Sequence, residues 1–173
     1  IVAQEIGAST NDIYEIDAAS NNGVDEMRVL NDAVNTLPLE SPYKVYIFDE
    51  VHMFSKSAFN ALLKTLEEPP KHVVFILATT EIEKLPETVV SRCQVFQLKK
   101  PSREVLKQSA SAIAKKEGFT LESGAADLIA LLGDGSFRDT QGILQKIISA
   151  SKDTKISLAE VETASSFSTS DAT

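Results

Sequence analysis

Two adjacent carboxylates, Asp49 and Glu50, stand directly behind the apolar run Val45 to Phe48. That run is short, β-branched and aromatic, so it reads as a buried strand with the two acids where it leaves the core. Buried α/β sheets hold their ligands beyond the carboxyl ends of their strands. Acids at that edge suit a metal ion or a water to be activated, and the plain alternative is a solvated strand end. Thr79 and Thr80 close the stretch "VVFILATT", which sets a hydroxyl near the same edge or satisfies loop backbone. Arg92 in "SRC" either reaches towards a neighbour or pairs with a surface acid. Arg138 in "GSFRD" falls in the first turn of a helix, where its charge gains nothing from the helix dipole. A phosphate would account for it, as would Asp134 or Asp139. His52 follows the acid pair as a polar bridge from that loop or as a packing residue.

The elements that must position these groups can be read from periodicity. Strands are expected at Ile13 to Asp17, Val45 to Phe48, Val73 to Ala78 and, in "QVFQL", Gln94 to Leu98. Between the first two, Met27, Leu30, Val34 and Leu37 recur at helical spacing as a buried stripe that Pro38 ends. After the second, Phe59, Leu62, Leu63 and Leu66 mark another helix, stopped by Pro69 and Pro70. Strands alternating with helices predict a parallel α/β sheet. From Pro101 onward every periodic segment is helical, with helices at about 102–117, 122–132 and 137–151. A further helix opens at Ser157, where Glu160 completes a capping box. The polar tail "SSFSTSDAT" is expected to fray.

The chain has 173 residues, 43% of them apolar, which is ample for a core and a small companion domain. Its formal net charge of −8 argues against a chain-wide basic surface for nucleic acid, so any DNA contact is local or supplied by partners. Cys93 is the only cysteine, which excludes an internal disulfide and a cysteine-based zinc site within these residues; it reads as a small buried hydrophobe. No stretch approaches the roughly 20 apolar residues of a membrane helix. A cytoplasmic location is expected. Position 1 is Ile and the opening residues carry neither cap nor complete strand, so a piece of a longer protein is expected.

Taken together, "YKVYIFDEVHMFSKSAFNALLKTLEEPP", "FILATT", "SRC" and "GSFRD" resemble the AAA+ subunits of clamp loaders. The stretch "EIDAASNNGVDEMR" resembles the gamma/tau family of bacterial DNA polymerase III, and the likeness covers about residues 12–150. The resemblance implies a pentameric ATPase that opens the ring-shaped sliding clamp and places it on primed DNA, with ATP and Mg²⁺ as cofactors. It implies partners as well: delta, delta-prime and further gamma/tau subunits, the sliding clamp, and primer-template DNA through the assembly, with no membrane. By the family pattern Asp49 is the Mg²⁺ acid and Glu50 the catalytic glutamate of a Walker B strand. Thr79 corresponds to the sensor on the neighbouring strand, with Thr80 one residue out of register as an alternative. Arg92 is the arginine finger acting in trans, and Arg138 the second sensor reaching phosphates from a helical lid.

The same pattern includes parts this sequence does not contain. It has no "GxxxxGKT" loop, which the family carries upstream together with a cysteine-rich zinc module, and no C-terminal collar domain. The expected organisation is a truncated parallel-sheet AAA+ core at residues 1–99, a small all-helical lid at 100–165 and a polar tail at 166–173. Such a chain on its own is expected neither to bind nor to hydrolyse ATP, for want of a phosphate cradle. The rival readings are a non-hydrolysing scaffold subunit of the delta-prime type and a short paralogue acting as an interaction module. A subunit that never binds ATP has no physical need for Asp49, Glu50, Thr79 and Arg138 together.

Overall fold

The computed structural model describes residues 1–151 and 153–170, the last six of these as backbone. The chain divides into two compact units, Ile1–Phe96 and Gln97–Thr173. In the first, α1 (Val2–Glu5), β1 (Ile13–Asp17), α2 (Val24–Ala33), β2 (Lys44–Asp49), α3 (Lys56–Glu67), β3 (Val73–Leu77) and α4 (Glu87–Val90) follow in order. The strands form a parallel sheet, β1-β2-β3, in which Asp17 lies beside Asp49 and Phe48 beside Leu77. Parallel neighbours require a crossover, and α2 and α3 supply it.

One face of this sheet is aromatic. Tyr46 stacks between Tyr14 and Phe75 at 5.1 and 5.7 Å, and Phe48 meets Phe54 edge-on at 5.4 Å. Met27 and Leu30 of α2 and Phe59 and Leu62 of α3 pack against that layer. Phe48 is fully buried, which stabilises by ~1.5–3 kcal/mol relative to an exposed ring. Ser55 opens α3 by accepting from the Ala58 amide at 3.1 Å, and Pro69-Pro70 stand just beyond its end.

Helix α2 stops at Ala33, and Leu37, expected in its buried stripe, is exposed. The reason lies in two donors at its end. The buried Lys44 ammonium donates to the Ala33 carbonyl at 3.1 Å and to Thr36 Oγ1 at 2.6 Å. His72 Nε2 lies 3.1 Å from the carbonyls of both Val34 and Thr36. These bonds satisfy the end carbonyls, and Pro38, with no N–H to give to the Val34 carbonyl, follows where the chain turns away.

The expected strand at Gln94 to Leu98 does not form. Those residues belong to no ladder, and Val95, Phe96 and Leu98 are exposed. Alternation of apolar residues says only which face can be buried. A strand also needs a backbone partner, and among the described residues none lies beside this segment.

The second unit contains α5 (Arg103–Lys116), β4 (Thr120–Leu121), α6 (Ser123–Leu132), α7 (Phe137–Ala150), β5 (Lys155–Ile156) and α8 (Leu158–Ser170). Ala110, Ala114, Ile129, Leu144, Ile147 and Val161 share its core. The expectation of helices alone is corrected by β4 and β5, which pair in parallel. Two residues per strand are too few to show a period of two. The Ser157 and Glu160 capping box is present, with the Ser157 amide donating to Glu160 at 2.7 Å. Once started, a helix adds residues cheaply, and the backbone of the stretch expected to fray is helical to Ser170; residues 171–173 lie outside the described ones.

Asp12 fastens the loop before β2. Its side chain is fully buried and accepts from the amides of Leu39, Glu40 and Ser41 at 2.5, 2.9 and 2.9 Å, and from the Ser41 hydroxyl at 2.7 Å. Burial alone would raise this carboxyl, but the donated bonds outweigh it and hold Asp12 well below the usual carboxylate range. The sign follows: a depressed folded pKa adds stability above the unfolded value of about 4, and that stability is withdrawn as the pH falls below it. Asp12→Asn puts an amide donor among amide donors. It should lower the melting midpoint at neutral pH by several degrees, roughly. In thermal melts from pH 7 to pH 3 the gap to wild type should narrow, and a gap independent of pH would remove Asp12 as the cause.

Candidate functional site

The parallel ladder brings the ends of β1, β2 and β3 to one edge. Beyond the strands the stitching continues, with the Ala18 amide on the Asp49 carbonyl at 3.0 Å and the Val51 amide on the Ala78 carbonyl at 2.9 Å. Asp49 therefore leaves the centre of the sheet with its backbone held on both sides. Its carboxylate is exposed, and Oδ1 accepts from the Glu50 amide at 3.0 Å. Asp17 ends β1 alongside, where the Ser20 hydroxyl and the Ala19 amide hold its carboxyl below the ordinary value.

Glu50 adopts a left-handed backbone, with φ of 48°. A non-glycine residue there carries strain, which persists only where surrounding bonds impose it. This conformation turns the chain sharply out of β2 into the single 3₁₀ turn Val51–Met53. The Glu50 carboxylate comes to rest against β3's extension: the Thr80 hydroxyl donates to its Oε2 at 3.2 Å. Of the two threonines, Thr80, the register alternative, is the one that meets Glu50. Thr79 faces His52 instead, its Oγ1 lying 2.9 Å from His52 Nδ1 and accepting from the Glu81 amide at 3.0 Å.

His52 is more deeply engaged than the sequence suggested. Nδ1 also lies 3.4 Å from Glu50 Oε2, and Nε2 lies 3.1 Å from Glu81 Oε2. The hydrogen bond from Lys84 holds Glu81 below its ordinary value against burial, with the charge of Lys84 adding to it. Nothing in the spacing of residues 52, 79 and 81 announces this meeting, because it depends on strand register. Glu67 is a second missed participant.

Arg92 folds back onto Glu67 at the end of α3, as the surface-acid reading allowed, and donates to the Thr88 carbonyl at 2.5 Å. The pair is partly exposed, with about a third of Arg92 and half of Glu67 open to solvent. Neighbouring Cys93 packs against the core, and burial pushes its thiol up.

Arg138 belongs to the second unit. It is exposed in the first turn of α7 and, among the described residues, pairs with neither Asp134 nor Asp139. The turn in front of it is tightly specified. A Cβ at Gly133 would lie 2.0 Å from Thr140 Oγ1, and Gly135 has φ of 79°. The turn therefore fixes where α7 begins, and with it the place of Arg138.

The residues fit Mg²⁺ in one respect. Mg²⁺ keeps several waters and takes one or two carboxylates plus phosphate oxygens, and a single exposed Asp49 at a strand end suits that demand. Among the described residues no group of three or more His, Cys, Asp and Glu side chains is arranged to hold a metal unaided. Among them too, no helix is long and apolar enough to cross a membrane.

Comparison with known proteins places the chain in a lineage. Residues 6–102 match the family described as DNA polymerase III, delta subunit. DNA polymerase III subunit tau of Bacillus subtilis (strain 168) is 51% identical over 145 residues, 84% of this chain and 26% of that protein. The chain thus spans about a quarter of that relative's length. A DNA polymerase III gamma subunit-related protein of Thermotoga maritima superposes with a TM-score of 0.55 at 26% identity, over 82% of this chain and 47% of its own. The Holliday junction branch migration motor RuvB of Thermotoga maritima superposes with a TM-score of 0.79 at 20% identity, over 96% of this chain and 55% of its own, a likeness in fold alone. The mixed α/β core with a helical part is of the AAA+ type. The chain belongs to the DNA polymerase III, delta subunit family, and it is similar over most of its length to gamma and tau subunits.

Proposed function

We propose that this chain is the metal-and-water edge, with its helical lid, of a gamma/tau-type clamp-loader ATPase. The observation that carries the reading is the contact between Thr80 and Glu50 beside an exposed Asp49, at the end of the central strand. When bound, Mg²⁺ with ATP supplies a γ-phosphoryl group whose charge is partly neutralised and open to attack by water. Asp49 would hold the ion. Glu50, with Oε2 held by Thr80, keeps Oε1 for the attacking water and accepts its proton. Arg138, in the second unit, would be a phosphate-binding residue. The proposed partners are other clamp-loader subunits, the sliding clamp, and primer-template DNA reached through the assembly, with a cytoplasmic location.

This sequence contains no "GxxxxGKT" loop, whose backbone amides and lysine cradle phosphates. Titrating the chain alone with a fluorescent ATP analogue and Mg²⁺ should give no saturation in the micromolar range. Tight saturable binding would mean that the site lies elsewhere.

In the full-length subunit that carries this segment, Glu50→Gln should preserve ATP binding and slow hydrolysis by about 10²-fold or more, because the amide keeps the shape and loses the base. Asp49→Asn should instead weaken Mg²⁺-dependent binding. Equal turnover of wild type and Glu50→Gln at saturating ATP would remove Glu50 from this role.

Arg92 is proposed to act on the nucleotide of an adjacent subunit. Its bond to Glu67 does not prevent this, since an ion pair so exposed is worth about 1 kcal/mol or less, and a phosphoryl group carries more charge. Arg92→Ala in the assembled loader should leave each subunit's own ATP affinity intact and lower hydrolysis by roughly tenfold or more. In mixed assemblies the defect should appear at the site facing the altered arginine. Loss at the altered subunit's own site would make Arg92 a cis residue.

A further inference from the structure

We propose that His52 is a positioning residue: its imidazole is a strut that sets the Thr80 hydroxyl on Glu50. The inference rests on the reading of Glu50 given above. Thr80 itself has only one bond to the acid-bearing loop, its hydroxyl on Glu50. Its two chain neighbours are both fixed by one ring, Thr79 through Oγ1 at Nδ1 and Glu81 through Oε2 at Nε2. His52 in turn stands two residues beyond Glu50, in the turn that the left-handed Glu50 backbone begins. The ring thus joins the segment bearing the base to the segment bearing its hydroxyl partner.

The hydrogen-bond inventory fixes one proton of the ring. The Glu81 carboxylate only accepts, so Nε2 carries a proton and donates to it, and Lys84 holds the same carboxylate at 2.8 Å. On the other side Nδ1 meets Thr79 Oγ1, a hydroxyl that also accepts from the Glu81 amide. Glu50 Oε2 lies 3.4 Å from Nδ1 and accepts from the Thr80 hydroxyl. The side chain of His52 is only 9% exposed, so the strut is not replaced by water in the folded state. Two polar nitrogens on opposite sides of one rigid ring are what this bridge requires, and histidine supplies both.

The test is a double-mutant cycle in the assembled full-length protein, with Glu50→Gln as control. His52→Ala should lower the hydrolysis rate constant by about tenfold or more, as a small misplacement of a catalytic group does, while MgATP affinity is unchanged. Thr80→Val should give a loss of the same kind. If His52 acts through Thr80, H52A adds nothing on the T80V background; multiplying losses would show a role independent of Thr80 and overturn the proposal. His52→Gln, which retains a donor towards Glu81, should recover part of the rate, and it replaces H52A in the cycle should the alanine variant fail to fold. A crystal structure of the histidine variant without nucleotide should show Thr80 displaced from Glu50, and an unmoved Thr80 would count against the strut. An inactive E50Q with a fully active H52A would sink the His52 inference alone, whereas an active E50Q would sink the reading on which it rests.

Discussion

Asp17, Asp49 and the residues just past Leu77 arrive at one edge because a single parallel register runs through all three strands. Everything polar in the candidate site hangs on that register. Val45 and Phe48 are fully buried on opposite faces of β2, so a slip by one residue would exchange their faces and drive polar groups into the core. The aromatic layer of Tyr14, Tyr46, Phe75 and Phe48 makes such a slip costly in packing as well. Chemistry at the edge and packing in the centre are therefore one constraint, enforced by the same strand.

Much of this was legible beforehand, because β2 and α3 are strongly patterned. A short β-branched and aromatic run followed by acids, then an apolar stripe stopped by Pro69 and Pro70, leaves little freedom in how residues 44–70 fold. Asp49 and Glu50 were visible for the same reason. The choice between Thr79 and Thr80 was not, since adjacent residues on an extended segment point opposite ways and only three-dimensional register decides which one faces Glu50. The bridging role of His52 was hidden likewise: its partners lie 27 and 29 positions along the chain, and a lone histidine carries no periodic signal.

The misreadings have a common physical source. Residues 94–98 are apolar and β-prone enough for a strand, yet a ladder is made by two backbones and sequence pattern reports one. Leu37 fits the helical stripe of α2, yet Lys44 and His72 claim the carbonyls on which a further turn would have been built. Pairs β4 and β5 are too short to have any pattern. In each case the fate of the backbone polar groups was decided by partners that hydrophobic periodicity does not report.

The left-handed backbone of Glu50 bears on how this protein can be altered. Glycine or asparagine at that position would relax the φ of 48°, and a search for thermostable variants would be drawn to either. Both would delete the carboxylate that the Thr80 hydroxyl holds. On the proposed reading, stability and chemistry compete at this one residue, and a stabilised descendant of this chain would find its gains in loops and helix ends remote from the edge.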